Sequence, residues 1–443
     1  MRWAYSVVMW LLQPLLLLRV WLRGAAEPLY RQHLGERFGY YGKRMADAPP
    51  PGFDWTDSAA AVQPLVWVHA VSLGETRAVG VLVQAMRARL PGMRLLFTHG
   101  TATGRAEGVA WLLDGDEQAW LPWDTPGAVL RFLRHYRPSV GVLVETEIWP
   151  NLVHSCRTHR VPLVLVNARL SDRSLRRAQR LAWLARPAYS GLAAVFAQTH
   201  ADAQRLRAIG APVEDVLGNL KFDVNPSVPQ VAQGFGWRGT WQAGRGQDRP
   251  IVLFASSREG EEAIFLAQLR QMDPARRAQV QWLLVPRHPQ RFDEVEGLVV
   301  AAGLQVSRRG AWDAEGPANL AEAADVWLGD SMGEMPLYYG MSDLALLGGS
   351  FMPMGGQNLI EAAACGCPVI MGPHVFNFAD AAENSAQAGA AFFVRDLAEG
   401  VDTALDLAAK PDLLAQCRQA ARKFVMAHQG AANRTAAVVA RLV

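Results

Sequence analysis

The sequence predicts an α/β protein built from two doubly wound domains. Short apolar segments rich in valine, leucine and isoleucine alternate with amphipathic segments from Leu65 to Asp223, and a second alternating series begins at Ile251. The stretch 224–250, rich in proline, glycine and polar residues, separates the two series. Alternation of this kind is typical of a parallel sheet covered by helices on both faces. A chain of 443 residues also suits two cores better than one.

The elements follow from these patterns in chain order. In the first series we predict strands at 65–71, 93–101, 118–124, 140–146, 161–169 and 191–199, with helices at 75–90, 126–136, 148–159 and 201–209. In the second series we predict strands at 251–257, 280–288, 324–331, 345–349 and 367–372, with helices at 260–272, 292–302, 335–339, 359–366 and from 397 onward. The resulting domain boundaries are 1–24 for a membrane-associated helix, 25–64 for a basic juxtamembrane segment and linker, 65–223 for one Rossmann-like domain and 224–443 for the other.

The N-terminal segment 1–24 is apolar with tryptophans and arginines at its edges. Gln13 and Pro14 interrupt the apolar run, Arg19 and Arg23 follow it, and no small-residue cleavage site of a signal peptide comes after it. The pattern predicts a helix that lies in, or dips through, the inner leaflet of a membrane with its arginines at the lipid phosphates. If the helix spans the bilayer, the Arg-rich segment after it places the rest of the chain in the cytoplasm. Whether this helix spans the bilayer or lies in one leaflet stays open.

Composition excludes several classes of protein. The net charge of +3 gives no overall signature of nucleic-acid binding. The four cysteines form no C-x-x-C pair, and no H-E-x-x-H spacing occurs. The sequence therefore predicts a reducing, cytoplasmic compartment with neither a disulfide framework nor a metal site.

The segment from Gly348 to Pro373 predicts a strand, a glycine loop, a short helix and a second strand. Gly355 and Gly356 precede Asn358, which stands at the N-cap position of the helix, and Glu361 lies in its first turn. Backbone N–H groups at such a helix start can hold a phosphate, and a carboxylate in the first turn could accept hydrogen bonds from ribose hydroxyls. The alternative is an ordinary βαβ crossover whose glycines only make turns.

Polar residues follow several strands of the first domain. Glu75 stands where a helix begins, and it is either a general base or an N-terminal carboxylate stabilised by the helix dipole. Glu145 and Glu147 flank Thr146 just past an apolar strand, where surface ion pairing would explain one carboxylate better than two. Lys221 lies at the domain junction, either reaching the site or solvated at the surface.

In the second domain, cationic and glycine-containing loops follow the strands. Pro286 and Arg287 follow a buried strand and precede His288. Met332, Gly333 and Glu334 form a further glycine turn. We expect guanidinium, imidazole and backbone N–H groups, rather than magnesium, to neutralise a bound phosphate.

With these residues in view, the chain resembles the 3-deoxy-D-manno-octulosonic acid (Kdo) transferases of lipid A biosynthesis along nearly its whole length. The resemblance rests on sequence blocks in family order: HAVSLGE, LPWDTP, ETEIWPNL, NARLSDRS, GNLKFD, PRHPQRF, GDSMGEM, GGSFMPMGGQNLIEAA and MGPHVFNF. It implies the GT-B architecture, in which two Rossmann-like domains face a cleft, with an N-terminal membrane-associated segment. In this reading 65–223 is the acceptor domain and 224–443 binds CMP-Kdo.

The resemblance further implies an inverting, metal-independent transfer of Kdo from CMP-Kdo to a sugar hydroxyl of the anionic lipid A precursor, lipid IVA. CMP-Kdo is then the donor substrate, and no cofactor is expected. Glu75 matches the base, and Glu145 and Lys221 match transition-state stabilisers. The positions matching the CMP-binding segments are Pro286, Arg287, Met332, Gly333, Glu334, Asn358, Leu359, Ile360 and Glu361. The expected partners are CMP-Kdo, the lipid A precursor and the cytoplasmic face of the bacterial inner membrane, with no nucleic acid.

Two other functions fit the same architecture. A soluble nucleotide-sugar epimerase would use two such domains but would need neither the apolar N-terminal helix nor a lipid acceptor. A non-catalytic, membrane-tethered sensor of sugar nucleotides would tolerate loss of Glu75, whereas a transferase would not.

Overall fold

The computed structural model describes residues 2–42, 63–245, 249–317 and 324–443. The chain divides into two compact units, one comprising Met1–Val224 with Gln429–Val443 and the other Asn225–His428.

The strands described are β1 (Leu65–Ala70), β2 (Arg94–His99), β3 (Glu117–Trp120), β4 (Val140–Val144), β5 (Leu163–Ala168), β6 (Ala194–Ala197), β7 (Val213–Val216), β8 (Ile251–Ser257), β9 (Gln281–Pro286), β10 (Val306–Arg308), β11 (Val326–Leu328), β12 (Leu344–Leu347), β13 (Val369–Met371) and β14 (Ala391–Phe393). The α-helices described are α1 (Arg2–Ala26), α2 (Leu73–Arg89), α3 (Ala102–Gly108), α4 (Pro126–Tyr136), α5 (Pro150–Thr158), α6 (Asp172–Arg180), α7 (Ala182–Ser190), α8 (His200–Ala208), α9 (Val228–Arg245), α10 (Glu261–Gln271), α11 (Pro274–Arg277), α12 (Phe292–Ala301), α13 (Met335–Met341), α14 (Leu359–Ala364), α15 (Ala379–Gln387), α16 (Leu397–Ala408), α17 (Pro411–His428) and α18 (Ala431–Val439).

The first unit has a parallel sheet in the order β3-β2-β1-β4-β5-β6-β7. Its central strands are buried along their whole length, because helices cover both faces and leave no solvent side for polar residues. One core lies under α4, α5 and α7, and the other lies under α2 and α18. The strand order reverses direction between β1 and β4, which places a topological switch point at their carboxyl ends.

The second unit repeats this plan with the order β10-β11-β9-β8-β12-β13-β14. Its strands pair in parallel, and the order reverses between β8 and β12. The predicted pair of doubly wound α/β domains is therefore confirmed. Several predicted elements also have nearly the observed bounds, such as α4 at Pro126–Tyr136.

The segment after residue 224 differs from the prediction. Its glycines and polar residues suggested a break in the α/β pattern, but the structure has the 18-residue helix α9 there. Trp237 and Trp241 are buried, and a Cβ at Gly234 would lie 2.3 Å from the carbonyl oxygen of Leu337. Glycine thus lets α9 pack closely on α13, and burial of its tryptophans outweighs the weak helix propensity of the segment.

The C-terminal end also departs from the predicted domain 224–443, because Gln429–Val443 belongs to the first unit. Ala432, Ala436 and Val439 of α18 are buried in the core beneath α2. The Asp223 carboxylate accepts a hydrogen bond from the backbone N–H of Ala432 at 2.6 Å and another from Gly430, so it caps the start of α18. A local sequence pattern cannot predict that a helix packs against a core formed by residues distant in sequence.

The described part of the predicted helix 1–24 is helical, and α1 runs from Arg2 through Pro14 to Ala26. The basic segment that follows forms two short 3-10 turns, Pro28–Arg31 and Leu34–Phe38. Most of the predicted linker at the end of the segment 25–64 lies outside the described residues.

Candidate active site

The switch point of the first unit carries both predicted catalytic carboxylates. Glu75 lies in the first turn of α2, just after β1, and Glu145 directly follows β4. Since β1 and β4 are neighbouring parallel strands, their carboxyl ends bring the two residues to one edge of the sheet. Burial raises the pKa of Glu75 most, the Glu145 charge raises it further, and the Glu147 charge adds a smaller effect.

Glu75 also takes part in helix capping. Ser72 is the N-cap of α2 and accepts from the Glu75 backbone N–H at 3.3 Å, while the Glu75 carboxylate accepts from the Val71 backbone N–H at 2.8 Å and from the Ser72 hydroxyl at 3.0 Å. A carboxylate that served only as a cap would have a lowered pKa. Instead burial, followed by the Glu145 charge, raises the pKa of Glu75 to about 7. Such a group can exchange a proton near neutral pH, as a general base must.

Glu145 has a backbone conformation that is unusual for a residue with a side chain. Its φ is 61°, in the left-handed region, where a non-glycine residue costs about 1–3 kcal/mol. Its carboxylate forms an ion pair with Lys221, with Oε1 3.1 Å from Nζ. Both side chains are largely buried, at 13% and 18% exposure, so the pair is held in place rather than freely solvated.

Lys221 lies on a 3-10 turn, Leu220–Asp223, that is fixed by side chains on three sides. The Asn219 side-chain oxygen accepts from the Lys221 backbone N–H at 3.0 Å. The Asn167 side-chain oxygen accepts from the Leu220 backbone N–H at 3.1 Å, and Asp223 caps α18. Asn167 is buried at the end of β5 with a φ of 51°, and the sequence analysis did not single it out. The sequence feature that could have identified Asn167 is a polar residue near the end of an otherwise apolar strand.

The switch point of the second unit holds the predicted glycine loop. The loop runs from the end of β12 to α14, with φ of 71° at Gly349, 92° at Gly355 and 75° at Gly356. Asn358 is the N-cap of α14, as predicted, and its side chain accepts from the Ile360 backbone N–H at 3.2 Å. Leu359 and Ile360 are buried and hold the helix on the core, whereas Glu361 in its first turn is only partly buried.

The loop after β9 is cationic. Pro286 ends the strand, and the Arg287 backbone N–H donates to the Ser257 carbonyl at 2.9 Å, which ties this loop to the end of β8. Burial, followed by the positive charges of Arg258, Arg287 and Arg291, lowers the pKa of His288. Arg291 is neutralised by Glu262 and Glu294. Arg258, which follows β8, is a further candidate anion ligand that the sequence analysis missed.

The turn Met332–Glu334 has a different environment. Met332 is exposed, and Gly333 has a φ of 78°. The Glu334 carboxylate accepts from the Ser331 hydroxyl and from Arg309 Nη2, the latter at 3.2 Å. Both carboxylate oxygens of Glu334 therefore already accept a hydrogen bond from the second unit itself. Glu334 is also the N-cap residue of α13.

Glu261 is a second residue that the sequence analysis missed. It is fully buried at the start of α10, and its carboxylate accepts from the backbone N–H groups of Gly349 at 2.7 Å, Phe351 at 3.2 Å and Arg258 at 2.9 Å. One side chain thus joins the loop after β8 to the glycine loop after β12. A buried carboxylate that satisfies three backbone donors fixes the shape of both loops.

Replacing Glu261 with alanine should therefore destabilise the second unit. Three backbone N–H groups would lose their acceptor, and each buried unsatisfied donor costs about 1–3 kcal/mol. We expect the free energy of unfolding in urea to fall by at least about 2 kcal/mol. The exposed neighbour Glu259 provides the matched control, and Glu259→Ala should change it by less than about 0.5 kcal/mol. Equal effects of the two substitutions would contradict the role given to Glu261.

Comparison with known proteins identifies the family of this chain. The family model for 3-deoxy-D-manno-octulosonic-acid transferase (kdotransferase) matches residues 32–224. The 3-deoxy-D-manno-octulosonic acid transferase of Bordetella pertussis is 45% identical over 442 residues, which cover 98% of this chain and 97% of that protein. The chain belongs to the Kdo transferase family. The Haemophilus influenzae transferase of the same name is 35% identical over 379 residues, covering 85% of this chain and 83% of that protein.

Solved structures confirm the GT-B type of fold for this Kdo transferase family member. A glycosyltransferase from Rickettsia africae matches 86% of this chain and 98% of its own with a TM-score of 0.56 at 13% identity. The UDP-GlcNAc 2-epimerase from Neisseria meningitidis matches 86% of this chain and 99% of its own with a TM-score of 0.55 at 13% identity. The two architectures are alike at this level, so the fold alone does not separate transferase from epimerase. The family relation favours the transferase.

Proposed function

We propose that this chain is an inverting, metal-independent glycosyltransferase that moves Kdo from CMP-Kdo to a sugar hydroxyl of a lipid A precursor, lipid IVA. The observation that carries the proposal is Glu75, a carboxylate with a pKa of about 7 beside the Glu145–Lys221 pair at the switch point of the first unit. Membership of the Kdo transferase family supports the identity of the transferred sugar.

In the proposed reaction, Glu75 removes the proton from the acceptor hydroxyl as its oxygen attacks the anomeric carbon of Kdo. The bond from that carbon to the CMP phosphate breaks, and the electron pair leaves with CMP. Since CMP is a good leaving group, deprotonating the acceptor and holding the phosphate matter more than acid assistance. Attack on the face opposite the leaving group inverts the anomeric carbon.

Glu145 and Lys221 act as a charged pair on this reaction. A carboxylate close to Glu75 makes it more basic, because a second negative charge resists ionisation of the first. The ammonium of Lys221 is held by Glu145 and supplies positive charge where negative charge develops in the transition state.

The second unit is proposed to hold CMP-Kdo through the loops after β8, β9, β11 and β12. The residues assigned to the donor are those inferred from the sequence: Pro286, Arg287, Met332, Gly333, Glu334, Asn358, Leu359, Ile360 and Glu361. The cationic loop after β9 and the glycine loop after β12 support this assignment, since guanidinium and backbone N–H groups bind phosphate. Glu334 fits a positioning role better than direct contact, because Arg309 and Ser331 engage its carboxylate.

The site of action is proposed to be the cytoplasmic face of the bacterial inner membrane, where an anionic lipid acceptor would lie. An 18-residue stretch of α1 has a mean hydropathy of 1.5, and only 11% of that stretch is buried. An apolar surface is therefore available for contact with lipid. Arg19 and Arg23 on the same helix would interact with anionic head groups.

Incubation of the purified chain with CMP-Kdo and a tetraacylated lipid A precursor tests the proposal. We expect a product heavier by a whole number of Kdo residues, release of CMP, an inverted anomeric centre by NMR and an unchanged rate in EDTA. Conversion of the nucleotide sugar without a lipid acceptor would favour an epimerase. Binding of CMP-Kdo with no turnover would favour a sensor.

The pH dependence of the reaction provides a further test. Glu75 must be ionised to act as a base, and its pKa is raised from 4.5 to about 7, so its active form is lost as the pH falls below neutrality. We expect kcat/KM to rise about tenfold per pH unit on the acid side and to level off above about pH 7. Measurement with the tetraacylated precursor at constant ionic strength checks this. An acid limb centred near 4.5, the ordinary value for this carboxyl, would contradict the assignment.

A further inference from the structure

The N-terminal helix α1 contacts the rest of the first unit along one side and leaves most of its apolar residues exposed. Most of its buried or half-buried residues recur at a spacing that places them on one side of the helix: Ser6, Met9, Gln13, Leu16, Leu17, Val20 and Gly24. The polar Ser6 and Gln13 therefore face the first unit.

The opposite side of α1 is apolar and exposed. It carries Val7, Leu11, Leu15, Leu18 and Leu22, and Leu11 is 72% exposed. A row of tryptophans, Trp3, Trp10 and Trp21, borders this apolar face, since residues seven and eleven apart fall on one side of a helix. A continuous apolar face turned away from the protein indicates contact with lipid.

The N-terminal end of α1 is fixed to the first unit by hydrogen bonds to buried side chains. The Tyr5 hydroxyl donates to Asp124 Oδ2 at 2.9 Å. Arg2 Nη1 and the Ser6 hydroxyl donate to Asn151 Oδ1 at 3.0 and 3.1 Å. Asp124 and Asn151 are buried, and Asp124 also accepts from two backbone N–H groups at the start of α5. The first turns of α1 thus share one polar cluster with the body of the unit.

The C-terminal end of α1 is fixed to the same unit. Val20 is buried in a cluster with Tyr30, Ala102 of α3 and Trp120 of β3. Arg31 Nη2 donates to the Trp21 carbonyl at 3.0 Å, and the Arg31 guanidinium lies over the Trp21 ring, 4.4 Å from its centre. Both ends of the helix therefore contact one compact unit.

These contacts decide between the two orientations that the sequence left open. Arg2 and Val20 are 18 positions apart, or roughly 27 Å along a helix at 1.5 Å per residue, which is close to the ~30 Å thickness of a bilayer core. A helix that crossed the bilayer would carry Arg2 to the far side and break its contacts with Asn151. The first unit cannot contact both ends of a helix that crosses the membrane.

We propose that α1 lies along the surface of an anionic phospholipid bilayer, with its apolar face inserted and both ends on the side of the first unit. Arg19 and Arg23 are exposed next to the apolar face, and their charge complements anionic head groups. This inference rests on the proposed membrane site of the chain and defines how that site is made. The tests below do not depend on Kdo transfer.

The side of the membrane on which Met1 lies tests the proposal directly. The four native cysteines are buried, so a cysteine in a hydrophilic extension placed before Met1 reports its own position. A membrane-impermeant maleimide is added to inverted inner-membrane vesicles and to intact spheroplasts. The exposed Gln419→Cys reports the side of the second unit. We expect both cysteines to be labelled in inverted vesicles and neither in spheroplasts. Labelling of the two from opposite sides would show that α1 crosses the bilayer and would overturn the proposal.

Flotation with lipid vesicles tests which partner covers the apolar face. We expect stronger binding to vesicles containing phosphatidylglycerol than to pure phosphatidylcholine. Leu11→Glu with Leu18→Glu should weaken that binding by about tenfold or more, because the carboxylates would have to enter the apolar layer. The exposed Leu413→Glu on the second unit is the control and should leave binding unchanged. If the paired substitutions instead convert a dimer to a monomer and leave vesicle binding unaltered, a second copy covers the face and the proposal fails.

Discussion

Replacing Glu75 with glutamine should abolish Kdo transfer while leaving CMP-Kdo binding intact. The amide cannot take the proton of the acceptor hydroxyl, and loss of a general base costs about 10²–10⁴-fold in kcat. Binding of the donor, measured by calorimetry, should change little, because the residues assigned to CMP-Kdo lie in the second unit. Near-normal turnover of Glu75→Gln would remove Glu75 from the mechanism.

The same substitution should not weaken the fold. The pKa of Glu75 is raised from 4.5 to about 7, so the stability linked to this group is present below about pH 4.5 and is lost as the pH rises through about 7. A glutamine is neutral throughout and avoids that loss. At about pH 8 the free energy of unfolding of Glu75→Gln should equal or exceed that of the wild type. Glu107→Gln, at a part-exposed ion pair with Arg77, is the matched control and should keep full activity.

Replacing Lys221 with methionine should lower kcat by about 10²–10³-fold, because the positive charge that stabilises the transition state is removed. The variant also leaves the largely buried Glu145 carboxylate without its cation, so we expect a loss of about 1–3 kcal/mol in the free energy of unfolding. Lys410→Met, at an exposed position of the second unit, is the control and should affect neither quantity.

The double variant Glu145→Gln/Lys221→Met separates stability from catalysis. With both charges gone, no unpaired charge is left buried at position 145. Much of the stability lost in Lys221→Met should therefore return. Activity should stay at the level of the single variants, since the charges that act on the reaction are still missing. Recovery of activity together with stability would show that the ion pair is structural only.

The sequence predicted the fold well where the pattern was local. The buried strands β1, β4 and β5 read as continuous apolar runs, because both faces of a parallel sheet are covered. The pattern failed for α9, where glycine at position 234 permits close helix packing and buried tryptophans stabilise a segment of weak propensity. It predicted a helical C-terminal end but did not assign α18 to the first unit, because the core on which α18 packs lies more than 200 residues away in sequence.

The candidate site was predictable in part. The positions of Glu75 and Glu145 after neighbouring strands follow from the doubly wound plan, and the structure places both at the switch point. The ion pair between Lys221 and Glu145 depends on a turn fixed by Asn167, and no local pattern encodes that contact. Glu261 was also missed because its role depends on contacts that no local pattern encodes. Its carboxylate accepts hydrogen bonds from three backbone N–H groups in two separate loops.

The docked α1 shows how structure changes the meaning of a sequence feature. Gln13 read as an interruption of a possible membrane span, yet it is half-buried on the side of α1 that faces the first unit. A polar residue inside an apolar segment is compatible with lipid contact when the protein, rather than the lipid, surrounds it.

The most direct test of a Kdo transferase with Glu75 as its base is a parallel assay of three purified proteins: the wild type, Glu75→Gln and Glu107→Gln. Each is incubated with CMP-Kdo and the tetraacylated lipid A precursor, and the mass of the lipid product is measured by mass spectrometry. We expect a Kdo-bearing product from the wild type and from Glu107→Gln, and unmodified precursor from Glu75→Gln. No Kdo-bearing product from the wild type would contradict the proposed activity, and equal product from all three would contradict the role of Glu75.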